Sequence, residues 1–201
     1  MFRWLWWRRR DPLDEVTGDV RLIVGLGNPG PDYADTRHNV GFRCVDVLAE
    51  RLGTRWTQRG ETLVSLSDGL GLAKPQAYMN RSGPPVTALV QRLQLAPDRL
   101  LVVYDDMDLP FGLLRLRPRG GAGTHNGMRS VIATLGTEDF ARLRIGISQA
   151  SAGSAVDHVL SPFSPDELPE LHQLVQRAAD AALAWANEGA EAAMNRYNNR
   201  A

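Results

Sequence analysis

Apolar and polar positions switch along the chain between a period of two and a period near 3.6. Residues 21–26, RLIVGL, form a short apolar run closed by Gly and Pro, which reads as a buried strand. A helical period follows, with Phe42, Val45, Leu48, Ala49 and Leu52 on one face and Asn39 at the capping position. Residues 62–66 and 70–74 read as two strands turned at Asp68-Gly69. Ser82, followed by Pro84 and Pro85, opens a helix that points Val86, Leu89, Val90 and Leu93 inward. The run LLVVY at 100–104 reads as a central strand. Residues 112–117 alternate weakly, and a Gly-rich loop runs to Asn126. Met128, Val131, Ile132 and Leu135 then share a helical face that Gly136 ends. Residues 142–147 give a further strand. Ser164-Pro165-Asp166-Glu167 has the cap, proline and acid of a capping box. The helix behind it carries Leu168, Leu171, Leu174, Val175 and Ala178 to Gly189, and 190–197 is weakly helical. Strands alternating with helices predict an α/β fold: a three-layer single domain with a twisted, mixed, mostly parallel sheet flanked by helices. Ligands then gather beyond the carboxyl ends of the strands.

Residues 1–20 stand outside this pattern. Trp4, Trp6 and Trp7 lie among arginines, and the residues after them lack periodicity, so we expect a disordered N-terminal extension ahead of a domain over 21–201. A chain of 201 residues, 43% hydrophobic, suits one well-buried core. No apolar run reaches the ~20 residues that cross a bilayer, so no membrane span is expected. Lys+Arg and Asp+Glu both total 23, so net charge does not signal a nucleic-acid partner and any basic footprint must be local. The lone cysteine, Cys44, excludes a disulfide within the chain and fits a reducing cytoplasm; on an amphipathic face it reads as a structural thiol.

Gly25-Leu26-Gly27-Asn28-Pro29-Gly30 matches the dinucleotide pattern G-x-G-x-x-G. That fingerprint needs a helix starting inside the glycine loop, whereas two prolines delay the helix here to about Asn39. A tight turn displaying Asn28 fits better. His38 follows shortly, beyond the carboxyl end of the first strand. Asp105, Asp106 and Asp108 follow the central strand directly. One carboxylate there can orient a histidine ring, and three acids can also hold a cation. We take Asp105 as the functional acid and expect no metal. Asn80 and Asn126 each precede a helix, where capping competes with a role in a site. Arg115, Arg117, Arg119, Arg129, Arg142 and Arg144 cluster within thirty residues, the strongest phosphate-binding surface in the sequence.

Five segments, LIVGLGNPGPDYADTRHNVGF, KPQAYMNRSG, VYDDMDLPFG, GAGTHNGMRS and RLRIGI, resemble bacterial-type peptidyl-tRNA hydrolases in order and spacing. The resemblance covers about Arg21 to Tyr197. It implies an enzyme that hydrolyses the ester between a peptide and the tRNA 3′ end, with His38 as the base on water and Asp105 as its partner. Asn28, Asn80 and Asn126 would then bind the peptide end and position water, with Tyr33 and Met79 lining the same cleft. Arg115, Arg117 and Arg144 sit where the family's basic residues approach tRNA. On this reading the protein is a cytoplasmic monomer whose partner is peptidyl-tRNA, with neither metal nor organic cofactor. A non-catalytic RNA-binding protein and a dinucleotide-dependent enzyme are the alternatives. Tyr104 departs from the family, in which a histidine often precedes the acid.

Overall fold

The structure, a computed structural model, describes Leu13 and residues 20–149 and 154–198. Among these residues the chain forms β1 (Arg21–Gly25), α1 (Val40–Arg51), β2 (Thr57–Arg59), β3 (Thr62–Ser67), β4 (Leu70–Pro75), α2 (Gly83–Arg92) and β5 (Leu100–Asp106). It continues with β6 (Leu114–Arg117), α3 (Asn126–Leu135), β7 (Ala141–Gly146), α4 (Ala155–Leu160), α5 (Leu168–Glu188) and α6 (Ala190–Tyr197). The strands make one sheet in the order β2-β3-β4-β1-β5-β7-β6. β4, β1, β5 and β7 pair in parallel, while β3 and β6 run against their neighbours. The mixed, mostly parallel sheet is the one expected.

The pleat sends alternate side chains to opposite layers. Ile23, Leu101 and Val103 pack with Cys44, Val45 and Leu48 of α1 and with Leu174, Ala178 and Trp185 of α5. Leu22, Val24 and Val102 pack on the other side with Val86 and Leu89 of α2 and Met128 and Val131 of α3. Each fully buried aliphatic side chain contributes ~1.5–3 kcal/mol. Cys44 is buried in the first layer, and burial pushes its thiol up to about 12, which suits a structural role.

The glycines after β1 serve this packing. A Cβ on Gly25 would strike the Gly41 carbonyl, one on Gly41 would sit 2.6 Å from the Leu26 carbonyl oxygen, and one on Gly27 would sit 2.6 Å from Phe42 Cγ. α1 therefore lies main chain against main chain on β1. No helix starts inside the glycine loop, since α1 begins at Val40. Both facts remove the structural basis of the dinucleotide reading.

Several local expectations need correction. The Asn39 side chain does not cap α1; its Oδ1 accepts from the Asn28 N–H and its Nδ2 donates to the Asn28 carbonyl. Ser82 stands at the N-cap of α2 as expected, but its side chain makes no cap bond and its hydroxyl donates to the Met79 carbonyl. Asn126 is the first residue of α3, and the cap is His125. α5 starts at Leu168, later than the capping box suggests. Pro169 has no N–H to donate, so residues 165–167 form a tight turn and the α-type bonds resume with Leu171 N–H to the Glu167 carbonyl, at 2.8 Å. Half of the box survives, as Ser164 N–H donates to Glu167 Oε2. Leu168, expected inward, is 49% exposed. The expectation for residues 1–20 falls mostly outside the described residues, although Leu13 is buried against the layer that holds Val64, Val86 and Leu89.

Candidate active site

β1 stops at Gly25, paired with Val103, so β5 runs on past it to Asp105 and Asp106. The chain leaves β1 for α1 on one face of the sheet and returns from β4 to β5 through α2 on the other. The crevice between β1 and β5 is thus the point where the winding reverses, the usual place for a ligand in an open α/β sheet. Asp105 lies there, 1% exposed.

Two histidines reach it from opposite layers. His38, in the tight turn Arg37–Asn39 ahead of α1, brings Nδ1 to 2.8 Å from Asp105 Oδ1. His125, at the start of α3, brings Nε2 to 3.0 Å from the same oxygen. The ring centroids are 5.1 Å apart. His125 Nδ1 accepts the Met128 N–H at 3.1 Å. A backbone N–H can only donate, so that nitrogen carries no proton and the proton of neutral His125 sits on Nε2, toward Asp105. Protonation of His125 would break its own helix cap. At His38 the carboxylate holds the proton on Nδ1 and leaves Nε2 as a base. Burial alone would raise Asp105. Interaction with His125 and then His38, through their charge when a ring is protonated and through their hydrogen bonds, overrides it and holds this carboxyl well below the usual carboxylate range.

A cavity of about 720 Å³ opens onto this cluster. His38, Asp105, His125 and Asn126 line it, together with Asp106, Asp108 and the arginines Arg117, Arg119, Arg129, Arg142 and Arg144; Val156 and Val159 of α4 form an apolar wall. Arg142, 2% exposed, donates to the carbonyls of Gly121 and Glu138 and lies 4.6 Å over Phe140, so it braces the glycine loop. Arg144 donates through Nε to Asp106 Oδ2. Burial disfavours the Arg144 charge, but this hydrogen bond and the Asp106 charge raise its pKa. Arg115 faces Arg144 across the β6–β7 ladder and donates to the Asn198 carbonyl, outside the cavity. Arg117 is exposed.

The other residues singled out from sequence, Asn28, Tyr33, Met79 and Asn80, are not among the residues that line the cavity. Asn28 Oδ1 accepts the Met79 N–H at 2.7 Å. That bond fixes the amide orientation and leaves Nδ2 as the group for a ligand. Tyr33 meets Tyr78 edge to face at 6.1 Å, and Asn80 is exposed.

Sequence reasoning passed over His125. Its signal was its place directly before a helix, the position credited to Asn126 instead. His38, Asp105 and His125 offer ligand atoms within 4.8 Å of one another, a two-histidine, one-carboxylate set able to hold a divalent ion. Their 2.8 and 3.0 Å separations are those of hydrogen bonds to a shared oxygen.

The peptidyl-tRNA hydrolase family model matches residues 22–201. A peptidyl-tRNA hydrolase of Chloroflexus aggregans is 54% identical over 186 residues, covering 88% of this chain and 98% of that protein. One of Desulfitobacterium hafniense is 47% identical, covering 89% and 100%. The crystal structure of peptidyl-tRNA hydrolase from Acinetobacter baumannii superposes with a TM-score of 0.84 at 33% identity, over 91% of this chain and 96% of that one. The chain that folds this paired-histidine crevice belongs to the peptidyl-tRNA hydrolase family.

Proposed function

We propose that the protein hydrolyses the ester joining a peptide to the 3′ end of tRNA in peptidyl-tRNA, freeing the tRNA for reuse. The observation that carries this reading is the 2.8 Å bond from His38 Nδ1 to the buried Asp105, which leaves Nε2 free to act beside an arginine-lined cavity. His38 Nε2 takes a proton from water as the water oxygen attacks the ester carbonyl. Asp105 stabilises the imidazolium that forms. The tetrahedral oxyanion is met by an amide donor, for which Asn28 Nδ2 is oriented by the Met79 N–H. Such a donor contributes ~3 kcal/mol in measured oxyanion holes. As the intermediate collapses, the imidazolium returns its proton to the departing ribose oxygen. An ester needs no covalent intermediate on this route.

Asn80 and Asn126, with Tyr33 and Met79, bind the peptide end. Arg115, Arg117 and Arg144 grip acceptor-stem phosphates, where sequence is not read. Asp106 takes the Arg144 Nε and leaves the terminal N–H groups of that guanidinium for phosphate.

The His38, Asp105, His125 set supports a second reading, hydrolysis by a metal-bound water. One experiment separates the two. Purified protein is incubated with N-acetyl-aminoacyl-tRNA, and free tRNA is scored with and without EDTA. Release that persists in EDTA supports general-base catalysis. Loss in EDTA with recovery on added metal supports the second reading, and absence of release under every condition refutes the hydrolase proposal.

A further inference from the structure

Arg37 immediately precedes His38, and its side chain is built into a different part of the fold. Its Nη1 and Nη2 donate to Oε1 and Oε2 of Glu167 at 2.9 and 2.7 Å. The guanidinium lies 4.6 Å over the ring of Phe163. The Arg37 N–H donates to the Ser161 carbonyl at 3.0 Å, and Thr36 bridges to Pro162. Glu167 is held from its other side, since Ser164 N–H donates to Oε2 at 2.7 Å. The Arg37 side chain is 10% exposed. A two-pronged bond, a ring stack and backbone contacts together are more than a surface ion pair provides.

The segment 161–167 follows α4, whose Val156 and Val159 wall the cavity. The turn that carries His38 is fastened to that segment through Arg37, and on its other side Asn39 is fastened to the Asn28 backbone at 2.8 and 2.9 Å. Arg37 itself does not line the cavity.

We propose that Arg37, gripped by Glu167 and Phe163, is a positioning residue that holds the His38 turn where Nδ1 meets Asp105. It sets turnover without touching substrate. This rests on His38 being the base. A displacement of about 1 Å in a reacting group can cost ~10²-fold, so a loosened turn is felt in kcat.

The test compares Arg37→Gln, Arg37→Lys, Glu167→Gln and His38→Ala by kcat and KM on N-acetyl-aminoacyl-tRNA. The His38 Nδ1–H signal is followed alongside by NMR of ring-labelled protein. Arg37→Gln and Glu167→Gln should lower kcat by ~10- to 100-fold, hold KM within about threefold, and shift or broaden the Nδ1–H signal. Arg37→Lys keeps the charge without the fork and should fall between these and the parent. If Arg37→Gln does not fold, Glu167→Gln leaves the arginine in place and decides alone. A rise in KM at constant kcat would make Arg37 a substrate contact and overturn the proposal. A loss of kcat with an unmoved Nδ1–H signal would also overturn it. A fully active His38→Ala would refute the base assignment, and this role with it, even where the Arg37 variants still move the His38 signal.

Discussion

Asp105→Asn tests the centre of the proposed mechanism. The change keeps size and removes one buried charge. Asp105 is 1% exposed, and its Oδ1 takes both imidazole protons, at 2.8 and 3.0 Å. Unit charges about 4 Å apart at an effective dielectric near 20 interact by ~4 kcal/mol, which bounds the loss in imidazolium stabilisation at ~10³-fold. The amide oxygen retains part of this as a dipole, so kcat should fall by ~10²- to 10³-fold. If the amide turns its NH2 toward the histidines, both rings must abandon their tautomers or lose their bonds, which adds to the loss. Single-turnover release of tRNA at saturating enzyme isolates the chemical step. The same change in a His38→Ala background should cost little more, because the two residues act as a unit. A loss under ~5-fold in the parent, or the full factor repeated without His38, would refute the pairing as the source of catalysis. The carboxyl is held below the usual carboxylate range, so Asp105 stays charged at neutral pH and should contribute no limb to the activity profile there.

Leu13→Ala should destabilise the protein by ~2–4 kcal/mol, lowering Tm in a thermal melt by roughly 4–16 °C, because Leu13 is 2% exposed against Val64 and Leu89. An unchanged Tm would mean that this contact contributes nothing in solution. Glu167 is held down to about 2 from 4.5, first by the Arg37 hydrogen bond. Its depressed value gives stability that is present above pH 4.5 and lost as pH falls toward 2, so the stability gap between parent and Glu167→Gln should close over that window in urea titrations. A gap that stays constant with pH would contradict the pair. Arg115→Ala with Arg117→Ala should raise KM on full tRNA substrates and flatten its salt slope by roughly 0.7–0.9 per lost phosphate contact. A short substrate with one terminal nucleotide should be turned over as before, and an equal loss on both substrates would place these arginines in the fold instead.

Six of the seven strands and most inward helix positions were legible in the sequence because burial imposes a period that local pattern preserves, as in LLVVY and in Phe42, Val45 and Leu48; the short, largely exposed β2 carries no such pattern and was not read. Caps were not. Asn39, Ser82 and Asn126 all stand where an isolated helix would use them, but a side-chain amide or hydroxyl goes to whichever partner the fold presents. For Asn39 that partner is the Asn28 backbone, remote in local pattern. Strand-end positions marked His38 and Asp105 as candidates, but their pairing was assigned only through a family resemblance, since 67 residues separate them and periodicity carries no information about which loops meet. His125 was missed for the same reason in reverse. Its cap role is local, while its bond to Asp105 becomes visible only once β5 and α3 are side by side.

The contact of β1 with α1 through Gly25 and Gly41 bears on how well His38 can be held. Side chains packed between a strand and a helix act as springs, because each can change rotamer and let the helix ride up. Here nothing separates the Gly25 and Gly41 main chains, and a Cβ on Gly41 would also collide with the Val103 carbonyl two residues before Asp105. The element carrying His38 and the strand carrying Asp105 are thereby gauged against each other by backbone atoms that have no torsion left to relax. A graft of this histidine and aspartate onto another strand–helix unit would need the two glycines before it needed any of the polar residues.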